Sequence, residues 1–479
     1  MQGETISSIL CTSTMDKVSK DSPVENIKYK KEVEVPQLGF VDDVLDIKKC
    51  GKETQDMNDF TRTAINRRRM QFSTDKCVRM HIKNKYTKSV RNCEDIATDG
   101  WKEKTVKVDS KLKKEDVHTG DIAIKTASHH LYLGDILENS GSNRLNVLSR
   151  AAKGQGIIRD IFQILEGTYF GSFYFEALKL MRETMLMSVI THNLEVSFNL
   201  SANDMKTLND LDLQLLRGSL LLGAKSSQSL MFLELGLVPV SFIIKKKRIM
   251  YLFHLLTTDN STLVSQIFRQ QLKSLKRGDW INTVIEDLKD LNLNLSFAQI
   301  ANMSKNKFND LVKKSSEKAS FQSLIRDKQS KSKGKELSYK CLETQSYFRS
   351  ENGLDVDTMR RIYQIRSREI QVKANFPSLF QDTSCPYEGC QSEDTQSHLF
   401  YSSCFTENMQ IMHNNRVYED IFGSDIDDQL EVMKMIFYKL ERRKDYLALS
   451  GKEYPADPRG NASVSSLGIQ KGETKVEEI

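Results

Sequence analysis

The chain contains no proline between Pro36 and Pro239. Proline interrupts helices, because it lacks a backbone N–H and clashes with the preceding turn. After Leu145, apolar residues recur at intervals of three and four, the spacing of one helix face. One such stripe comprises Ile157, Ile158, Ile161, Ile164 and Leu165, and the next comprises Tyr174, Leu178, Met181, Met185 and Val189. The sequence therefore predicts a series of packed helices beyond residue 145.

Length and composition favour a globular protein. At 479 residues the chain can form two to four domains. Its eight cysteines do not form the dense framework of a small secreted protein. No segment approaches the 18 or more apolar residues of a membrane span, and no basic region followed by an apolar stretch opens the chain. We expect an intracellular protein, nuclear or cytoplasmic, without a membrane partner.

Two adjacent carboxylates, Asp42 and Asp43, follow an apolar segment that contains Phe40 and Val41. The pattern predicts a β-hairpin between Leu38 and Ile47 with both acids at its tip. Carboxylates held together on a rigid turn are suitable ligands for Mg²⁺. An isolated Asp-Asp pair, however, is more often a solvated turn.

Four segments in order carry a resemblance to a known family: residues 2–10, the acid pair, residues 72–76 and residues 132–135. They resemble successive palm motifs of the reverse transcriptases of non-LTR (LINE-type) retrotransposons. The resemblance implies that Asp42 and Asp43 bind Mg²⁺ and that Lys76 protonates the departing pyrophosphate. It also implies a template and nucleotide contact and a primer grip, formed respectively by Gln2, Gly3 and Ser7 and by Tyr132, Leu133 and Gly134.

This family copies an RNA template from a DNA primer or target by two-metal chemistry. The family also has an upstream strand with a further aspartate, preceded by fingers, whereas Met1 stands directly before Gln2 here. We therefore expect a truncated polymerase that is inactive by itself. Taken singly, Gly3 is equally consistent with an ordinary turn, Lys76 with a solvated surface, and residues 132–134 with a buried strand end.

The predicted fold class is α+β, with a truncated palm, a mainly helical thumb and linker region, and a small zinc-binding module. The predicted ranges are a partial palm at 1–135, a helical thumb-like region at 136–240, a basic helical region with a linker at 241–340, a zinc-binding C-terminal module at 341–450 and a disordered tail at 451–479. The Lys- and Ser-rich residues 325–340 are the predicted linker. The tail has almost no large apolar residues.

Cys385, Cys390, His398 and Cys404 follow a C-x4-C-x7-H-x5-C pattern. Thiolate and imidazole ligands in sets of four are typical of tetrahedral Zn²⁺. Gly389 would allow a tight turn before Cys390. The alternative is a set of unpaired buried cysteines beside an unrelated histidine. The surrounding residues resemble the zinc-binding segment that follows the polymerase in non-LTR elements, and four protein ligands indicate a structural site.

Basic residues before the zinc motif are candidates for nucleic-acid binding. Arg361 and Arg368 lie seven residues apart, which places them on one helical face, with Arg366 and Lys373 nearby. Two basic runs, residues 245–248 and 328–335, are also consistent with phosphate contacts in a polymerase. Solvated surface is the alternative for all of them.

Three functions are compatible with these patterns. The first is a truncated RNA-directed DNA polymerase of a non-LTR retrotransposon. The second is a non-catalytic, zinc-containing, nucleic-acid-binding remnant of such an element, and the third is a translated relic without a selected role. The oligomeric state is left open by the sequence.

Overall fold

α-Helix dominates the part of the chain that the structure describes. The computed structural model describes residues 125–450 apart from 198–199, 275–278, 332, 377, 403 and 405–416. Before residue 125 it describes 27–29, 33–35, 38–40, 43–45, 47, 57, 60–61 and 78–80. The predicted disordered tail at 451–479 therefore lies outside the described residues.

The described strands form two-stranded sheets. Antiparallel pairs join β1 (Ile27–Tyr29) to β2 (Val33–Val35), β3 (Leu38–Phe40) to β4 (Asp43–Leu45), and β7 (His129–Tyr132) to β8 (Asp135–Glu138). A parallel pair joins β5 (Val78–Arg79) to β6 (Lys125–Thr126). Short sheets and many helices agree with the coarse α+β prediction.

The predicted acidic hairpin is confirmed as a backbone structure. Phe40 pairs with Asp43 and Leu38 with Leu45 across β3 and β4, which leaves a two-residue connection at 41–42. Asp43 thus opens the second strand at the tip of the hairpin. Asp42 lies outside the described residues, as do Gln2, Gly3, Ser7 and Lys76. Binding of Mg²⁺ at this tip stays a prediction.

The predicted primer-grip residues form the tip of a second hairpin. Tyr132 ends β7 and pairs with Asp135, which opens β8. Between them, Leu133 has φ 50° and Gly134 has φ 85°. Positive φ at both central residues defines a type I′ turn, the connection that matches the twist of the two strands. The structure thus gives these residues a local conformation, and the primer-grip role stays a prediction.

Met57, Phe60 and Thr61 are helical, and the helices whose bounds the structure describes follow β8. In chain order they are α1 (Arg144–Gly167), α2 (Tyr174–Met181), α3 (Met187–Ile190), α4 (Ala202–Leu220), α5 (Gln228–Leu235), α6 (Val240–Thr257), α7 (Leu263–Ser274), α8 (Trp280–Asp290), α9 (Phe297–Ala301), α10 (Lys305–Gln329), α11 (Val356–Arg366), α12 (Gln396–Tyr401) and α13 (Ile426–Leu449). A π-helical turn, Arg182–Leu186, joins α2 to α3. The helices predicted beyond residue 145 are confirmed.

The chain divides into two compact units. The first comprises Met1–Asn146, Ser197–Asn199 and Leu252–Thr283, and the second comprises Val147–Val196, Leu200–Tyr251 and Val284–Ile479. A contiguous apolar cluster that extends in sequence from Val147 to Leu440 forms the core of the second unit. The predicted thumb-like region, basic helical region and zinc-binding module all contribute side chains to this core.

The segment predicted as a linker, residues 325–340, is packed. Its first five residues are the C-terminal end of α10. Lys328 is buried and donates a hydrogen bond to the carbonyl of Leu337, which is also buried. Gly334 lies directly against Leu230 of α5. Lysine and serine content favoured a linker, but the buried Lys328 stem and Leu337 anchor the segment instead.

Glu234 is the centre of a buried polar network in the second unit. Its carboxylate accepts hydrogen bonds from the Tyr339 and Tyr347 hydroxyls, the latter at 2.6 Å. It also accepts from Nε and Nη2 of Arg366, both at 3.1 Å. Arg366 Nη1 donates to the carbonyl of Ile421 at 2.7 Å. This network therefore ties α5, the segment before α11, α11 itself and residue 421 together.

A close backbone approach at Gly236 gives a first testable prediction. Gly236 ends α5 with φ +65°, and a Cβ there would lie 2.4 Å from the backbone nitrogen of Thr344. Gly236→Ala should cost about 1–2 kcal/mol for the left-handed backbone and about 1–3 kcal/mol more for the forced backbone shift. Chemical denaturation of the purified chain measures the total.

Gly353 is the matched control for this substitution. It has φ +62°, but nothing lies within 4 Å of the position of its missing Cβ. Gly353→Ala should therefore show the backbone cost alone. Equal losses of stability at the two glycines would contradict the close packing of α5 against residues 343–344.

No single helix among the described residues is long and apolar enough to cross a membrane. The pair Gln228–Leu235 and Val240–Thr257, bent by 62°, passes the same test of length and composition. Residues Ser229 to Leu235 of the first helix are all buried within the protein.

A candidate metal centre

The four predicted zinc ligands converge in the second unit. The ligand atoms of Cys385, Cys390, His398 and Cys404 all lie within 4.8 Å of one another. Nε2 of His398 is 3.5 Å from Sγ of Cys390 and 3.8 Å from Sγ of Cys404. Around a tetrahedral ion with bonds of about 2.0–2.3 Å, neighbouring donor atoms lie roughly 3.5–3.8 Å apart. The donor set and its spacing therefore fit a zinc ion.

Local backbone structure positions the first two cysteines. Residues 384 and 393 form an antiparallel bridge, and the Cys385 N–H donates to the Ser392 carbonyl at 2.8 Å. Between them, Gly389 adopts φ +80° and the Cys390 N–H donates to the Tyr387 carbonyl at 3.1 Å. A side chain at Gly389 would be strained in this left-handed conformation. The result is a short loop that presents Cys385 and Cys390 to the same point.

His398 is presented by the first turn of α12. Thr395 caps this helix, and its hydroxyl accepts a hydrogen bond from the His398 N–H at 3.0 Å. Such a cap satisfies one of the N–H groups that a helix leaves without a partner at its start. The cap therefore fixes the start of α12 and with it the position of the imidazole ring.

Burial sets the protonation of the cluster in the absence of a cation. Burial raises the pKa of Cys385 to about 12 and also raises the pKa of Cys404. The Ser392 N–H, which hydrogen-bonds to Cys390, lowers the pKa of that thiol. Burial lowers the pKa of His398, which keeps its imidazole neutral and able to donate a lone pair. A divalent cation would stabilise the thiolates that burial disfavours.

A second layer of buried charge surrounds the cluster. Asp394, four residues before His398, accepts hydrogen bonds from the Lys373 N–H at 2.7 Å and from Arg443 at 2.5 Å. Lys439, on the same helix as Arg443, donates to the carbonyls of Phe400 and Ser402, the latter at 2.7 Å. Lys439, Arg443 and Asp394 are each at most 2% exposed. Groups of this kind hold ligands in place and tune the metal.

The structure corrects the prediction for Arg366. Its side chain is 3% exposed and pairs with the carboxylate of Glu234, which is 1% exposed. Its guanidinium donates to this carboxylate and to the carbonyl of Ile421, both inside the protein. Because a nucleic acid cannot reach a group that is buried and paired, Arg366 supports the fold and is removed from the predicted contacts.

The shared helical face predicted for Arg361 and Arg368 is also wrong. Helix α11 ends at Arg366, and Arg368 has a left-handed φ of 56°. Arg368 instead pairs with Glu336. Arg361 remains exposed on α11, with its guanidinium 4.9 Å from the ring centre of Phe437. Arg361 and Arg368 therefore do not share the surroundings that their seven-residue spacing indicated.

Lys373 is half-buried, and both its side chain and its backbone N–H have partners. Its ammonium is 3.3 Å from the carboxylate of Asp382, which is largely exposed. Its backbone N–H belongs to the second layer around the cysteines. Surface pairs of this kind are weak, so phosphate contact by Lys373 stays a prediction.

The basic run at 245–248 is largely structural. Lys245 pairs with Asp290 at 2.5 Å, and Arg248 pairs with Asp287 at 2.5 Å in a nearly buried bridge. Burial raises the pKa of Asp287, an effect that Arg248 opposes. Lys245 and Arg248 thus form ion pairs between α6 and α8, and phosphate contact by the rest of the run stays a prediction.

Most lysines of the second basic run, at 328–335, also have partners within the protein. Lys328 is buried against the Leu337 carbonyl, and Lys333 is 3.2 Å from the buried carboxylate of Glu369. Lys331 pairs with an aspartate of α10 at 2.5 Å. Lys335 stays exposed. The number of lysines in this segment therefore overestimates the unpaired positive charge that it offers to a phosphate.

Helix α10 carries a basic stripe that the sequence analysis missed. Lys307, Lys314 and Lys318 are exposed and lie seven and four residues apart. At 3.6 residues per turn, these spacings place all three within an arc of about 40°. The carboxylates of this helix, Asp310, Glu317 and Asp327, fall outside that arc. The regular spacing of these three lysines could have predicted the stripe. It was missed because other residues separate the lysines in the sequence.

No known protein family, curated protein or solved structure matches this chain. Among the described residues, the Cys3His cluster is the group of metal-ligating side chains that comes together.

Proposed function

We propose that this chain is part of a non-LTR retrotransposon reverse transcriptase, an RNA-directed DNA polymerase, and that its described helical unit holds nucleic acid. The convergence of Cys385, Cys390, His398 and Cys404 carries the proposal. The resemblance assigns a zinc segment to these four positions, and their donor atoms meet at one point. In this proposal, RNA template and DNA primer or target are the partners.

Zinc is the proposed ion of this cluster, and its role is structural. Three thiols and one imidazole supply a complete tetrahedral set, so no position is left open for a substrate or water. The ion would fix the loop that carries Cys385 and Cys390 to α12. Magnesium belongs to the proposed polymerase centre at Asp42 and Asp43, with Lys76 as the acid.

The proposed nucleic-acid surface includes the basic stripe of α10, defined by Lys307, Lys314 and Lys318. Exposed lysines can neutralise phosphates and release the counterions that surround a nucleic acid. The stripe faces solvent, since Phe308 and Val312 of the same helix are buried on another side. Arg361 is a second exposed candidate, with its guanidinium stacked on an aromatic ring. Both features supply charge without a base-specific contact.

The alternative proposal is a non-catalytic, zinc-containing protein that binds nucleic acid. One observation favours it: the cysteine cluster and α10 both belong to the second unit, and among the described residues the apolar core of that unit starts at Val147. In this proposal the second unit carries the binding surface. The two proposals differ in whether Asp42 and Asp43 belong to a polymerase centre.

Salt-dependent binding tests the nucleic-acid proposal. Replacing Lys307, Lys314 and Lys318 with alanine should weaken binding to a labelled RNA–DNA duplex by about tenfold or more near 0.15 M salt. Each lost phosphate contact should reduce the slope of log K against log salt by about 0.9 for a duplex. Fluorescence anisotropy over a salt series measures both the affinity and the slope.

The matched control neutralises three other exposed lysines, Lys153, Lys434 and Lys444. It makes the same change in net charge, so an equal loss in both triple variants would indicate general attraction and reject the α10 stripe. A chain that binds no duplex even at low salt would reject both proposals. Extension of a primer on RNA in Mg²⁺ that Asp42→Asn abolishes would support the polymerase. Binding without extension agrees with either proposal, because the predicted partial palm is inactive by itself.

A further inference from the structure

Two buried cations of α13 contact the chain on either side of the metal ligand His398. Lys439 donates to the carbonyls of Phe400 and Ser402, which lie between His398 and Cys404. Arg443, one turn later, contacts Asp394, which lies between Cys390 and His398. One helix therefore contacts both chain segments that lead into this ligand.

Arg443 also joins the loop to the segment after α11. Its Nη1 donates to the Gln371 carbonyl at 3.1 Å, and Nη2 is 2.5 Å from Asp394. The Ala374 N–H donates to the Asp394 carbonyl at 3.1 Å. Because Asp394 and Arg443 are almost fully buried, separating them would leave two charges in a low-dielectric interior. The loop and α13 should therefore stay together or separate together.

Charge gives Lys439 a further role. A Zn²⁺ ion with three thiolates and a neutral imidazole carries a net charge of −1. A buried net charge without a partner is strongly unfavourable. Lys439 as a whole residue is 1% exposed, and its ammonium supplies one positive charge next to the chain that joins His398 to Cys404. Burial lowers the pKa of Lys439 to about 8, and the Cys404 thiolate opposes that shift.

We propose that Lys439 and Arg443 act as positioning residues for the metal, with Lys439 as the counter-charge of the Cys3His centre, so that metal binding and docking of α13 form one cooperative equilibrium. The inference rests on the proposed binding of zinc and extends it from four ligands to a whole helix. Removing the metal then loosens α13, although α13 contributes no ligand. Neutralising Lys439 weakens metal binding, although its ammonium donates to backbone carbonyls and supplies no ligand atom.

Hydrogen–deuterium exchange on the unmodified full chain tests the coupling. The chain is compared with one equivalent of Zn²⁺ and after chelation, with native mass spectrometry to show that the ion has left. We expect exchange in α13, between Ile436 and Leu447, to rise at least tenfold on chelation. Helix α10, which lies elsewhere in the same unit, should change less than twofold. Unchanged exchange in α13 after loss of the ion would overturn the proposal.

A substitution tests the counter-charge. Lys439→Met should weaken Zn²⁺ binding by about 10–100-fold, the range typical of outer groups around a metal. Lys444→Met, at an exposed position of the same helix, should leave affinity within twofold. Competition with a chromophoric chelator measures both affinities. If Lys439→Met lowers the melting temperature equally with and without zinc and leaves affinity unchanged, its role is packing alone.

The same substitution in a second variant tests whether the charge of Lys439 is responsible for its effect on zinc affinity. In Cys404→Ser the centre carries one thiolate less, so the effect of Lys439→Met on Zn²⁺ affinity should shrink to less than threefold. An undiminished effect would contradict the counter-charge. If Lys439→Met does not fold, the exchange experiment on the unmodified chain still decides the coupling. If the unmodified chain binds no zinc, the proposed metal function fails as well, whereas zinc binding with unchanged exchange rejects only the inference.

Discussion

Glu234→Ala is expected to lower the free energy of unfolding by about 3–5 kcal/mol, the usual cost of removing one partner from a buried ion pair. The substitution removes the carboxylate, and the Arg366 guanidinium remains inside the core without it. It also removes the acceptor of the Tyr347 and Tyr339 hydroxyls. Burial raises the pKa of each tyrosine well above 10, so at neutral pH both phenols are donors that need an acceptor.

Urea denaturation followed by circular dichroism measures this loss. Glu441→Ala is a suitable control, because Glu441 is exposed on α13, and substitutions at such sites usually change stability by less than about 0.5 kcal/mol. Arg366→Met should also be strongly destabilising. The double variant Glu234→Ala with Arg366→Met should lose less than the sum of the two, by about 0.5–3 kcal/mol. Additive losses would contradict a direct pair between α5 and α11.

The position of Arg366 shows what helical periodicity can predict about a residue and what it cannot. Met359, Ile362 and Tyr363 form the buried stripe of α11, and Arg366 follows at the next position of that stripe. Helical spacing could therefore have predicted its burial, but its charge favoured a surface contact. The partner, Glu234, lies 132 residues away in sequence. Such pairings depend on tertiary packing, which local sequence does not encode.

The same pattern recurs on α13. Val432, Ile436 and Leu440 form its buried stripe, and Lys439 and Arg443 lie within or beside it. A charged residue at a position where periodicity demands an apolar one indicates a buried partner. The sequence predicts the helix and marks these positions as exceptional. It does not predict that their partners are the carbonyls and the carboxylate around the metal ligands.

The metal ligands could be predicted because their chemistry is local. Three cysteines and a histidine within 20 residues form a donor set typical of a zinc site. The acidic hairpin could be predicted for a similar reason, since its turn and flanking strands are adjacent in sequence. The basic run at 245–248 could not, because Asp287 and Asp290 lie on a different helix.

Zinc at a free concentration a thousandfold above its dissociation constant is expected to stabilise the folded chain by about 4 kcal/mol. Chelation of the zinc should remove this stabilisation. In a unit of this size that corresponds to roughly 10 °C in melting temperature, at about 2–4 °C per kcal/mol. The physical reason is that the folded chain brings four donors within 4.8 Å, whereas the unfolded chain does not. Differential scanning calorimetry with zinc and with a chelator measures the shift.

The size of this shift should depend on pH in a defined direction. A bound thiol must lose its proton, so protons compete with the metal and zinc affinity rises with pH. Each proton released contributes up to about 1.4 kcal/mol per pH unit. Burial places the pKa of Cys385 near 12 in the metal-free fold, above its value in the unfolded chain. The metal-free fold therefore loses stability only as pH rises above the unfolded thiol value of about 8.5. Between pH 6 and pH 8, proton release on zinc binding should widen the gap between loaded and metal-free melting temperatures.

Cys390→Ser provides the variant for the same measurement, and Cys341→Ser provides its control. Cys341 is an exposed free thiol outside the cluster. Cys390→Ser should abolish most of the zinc-dependent shift, because a serine hydroxyl is a poor replacement for a thiolate. Cys341→Ser should retain the full shift. A zinc-dependent shift that survives Cys390→Ser would place the ion elsewhere, and a shift that narrows with rising pH would contradict binding through thiolates.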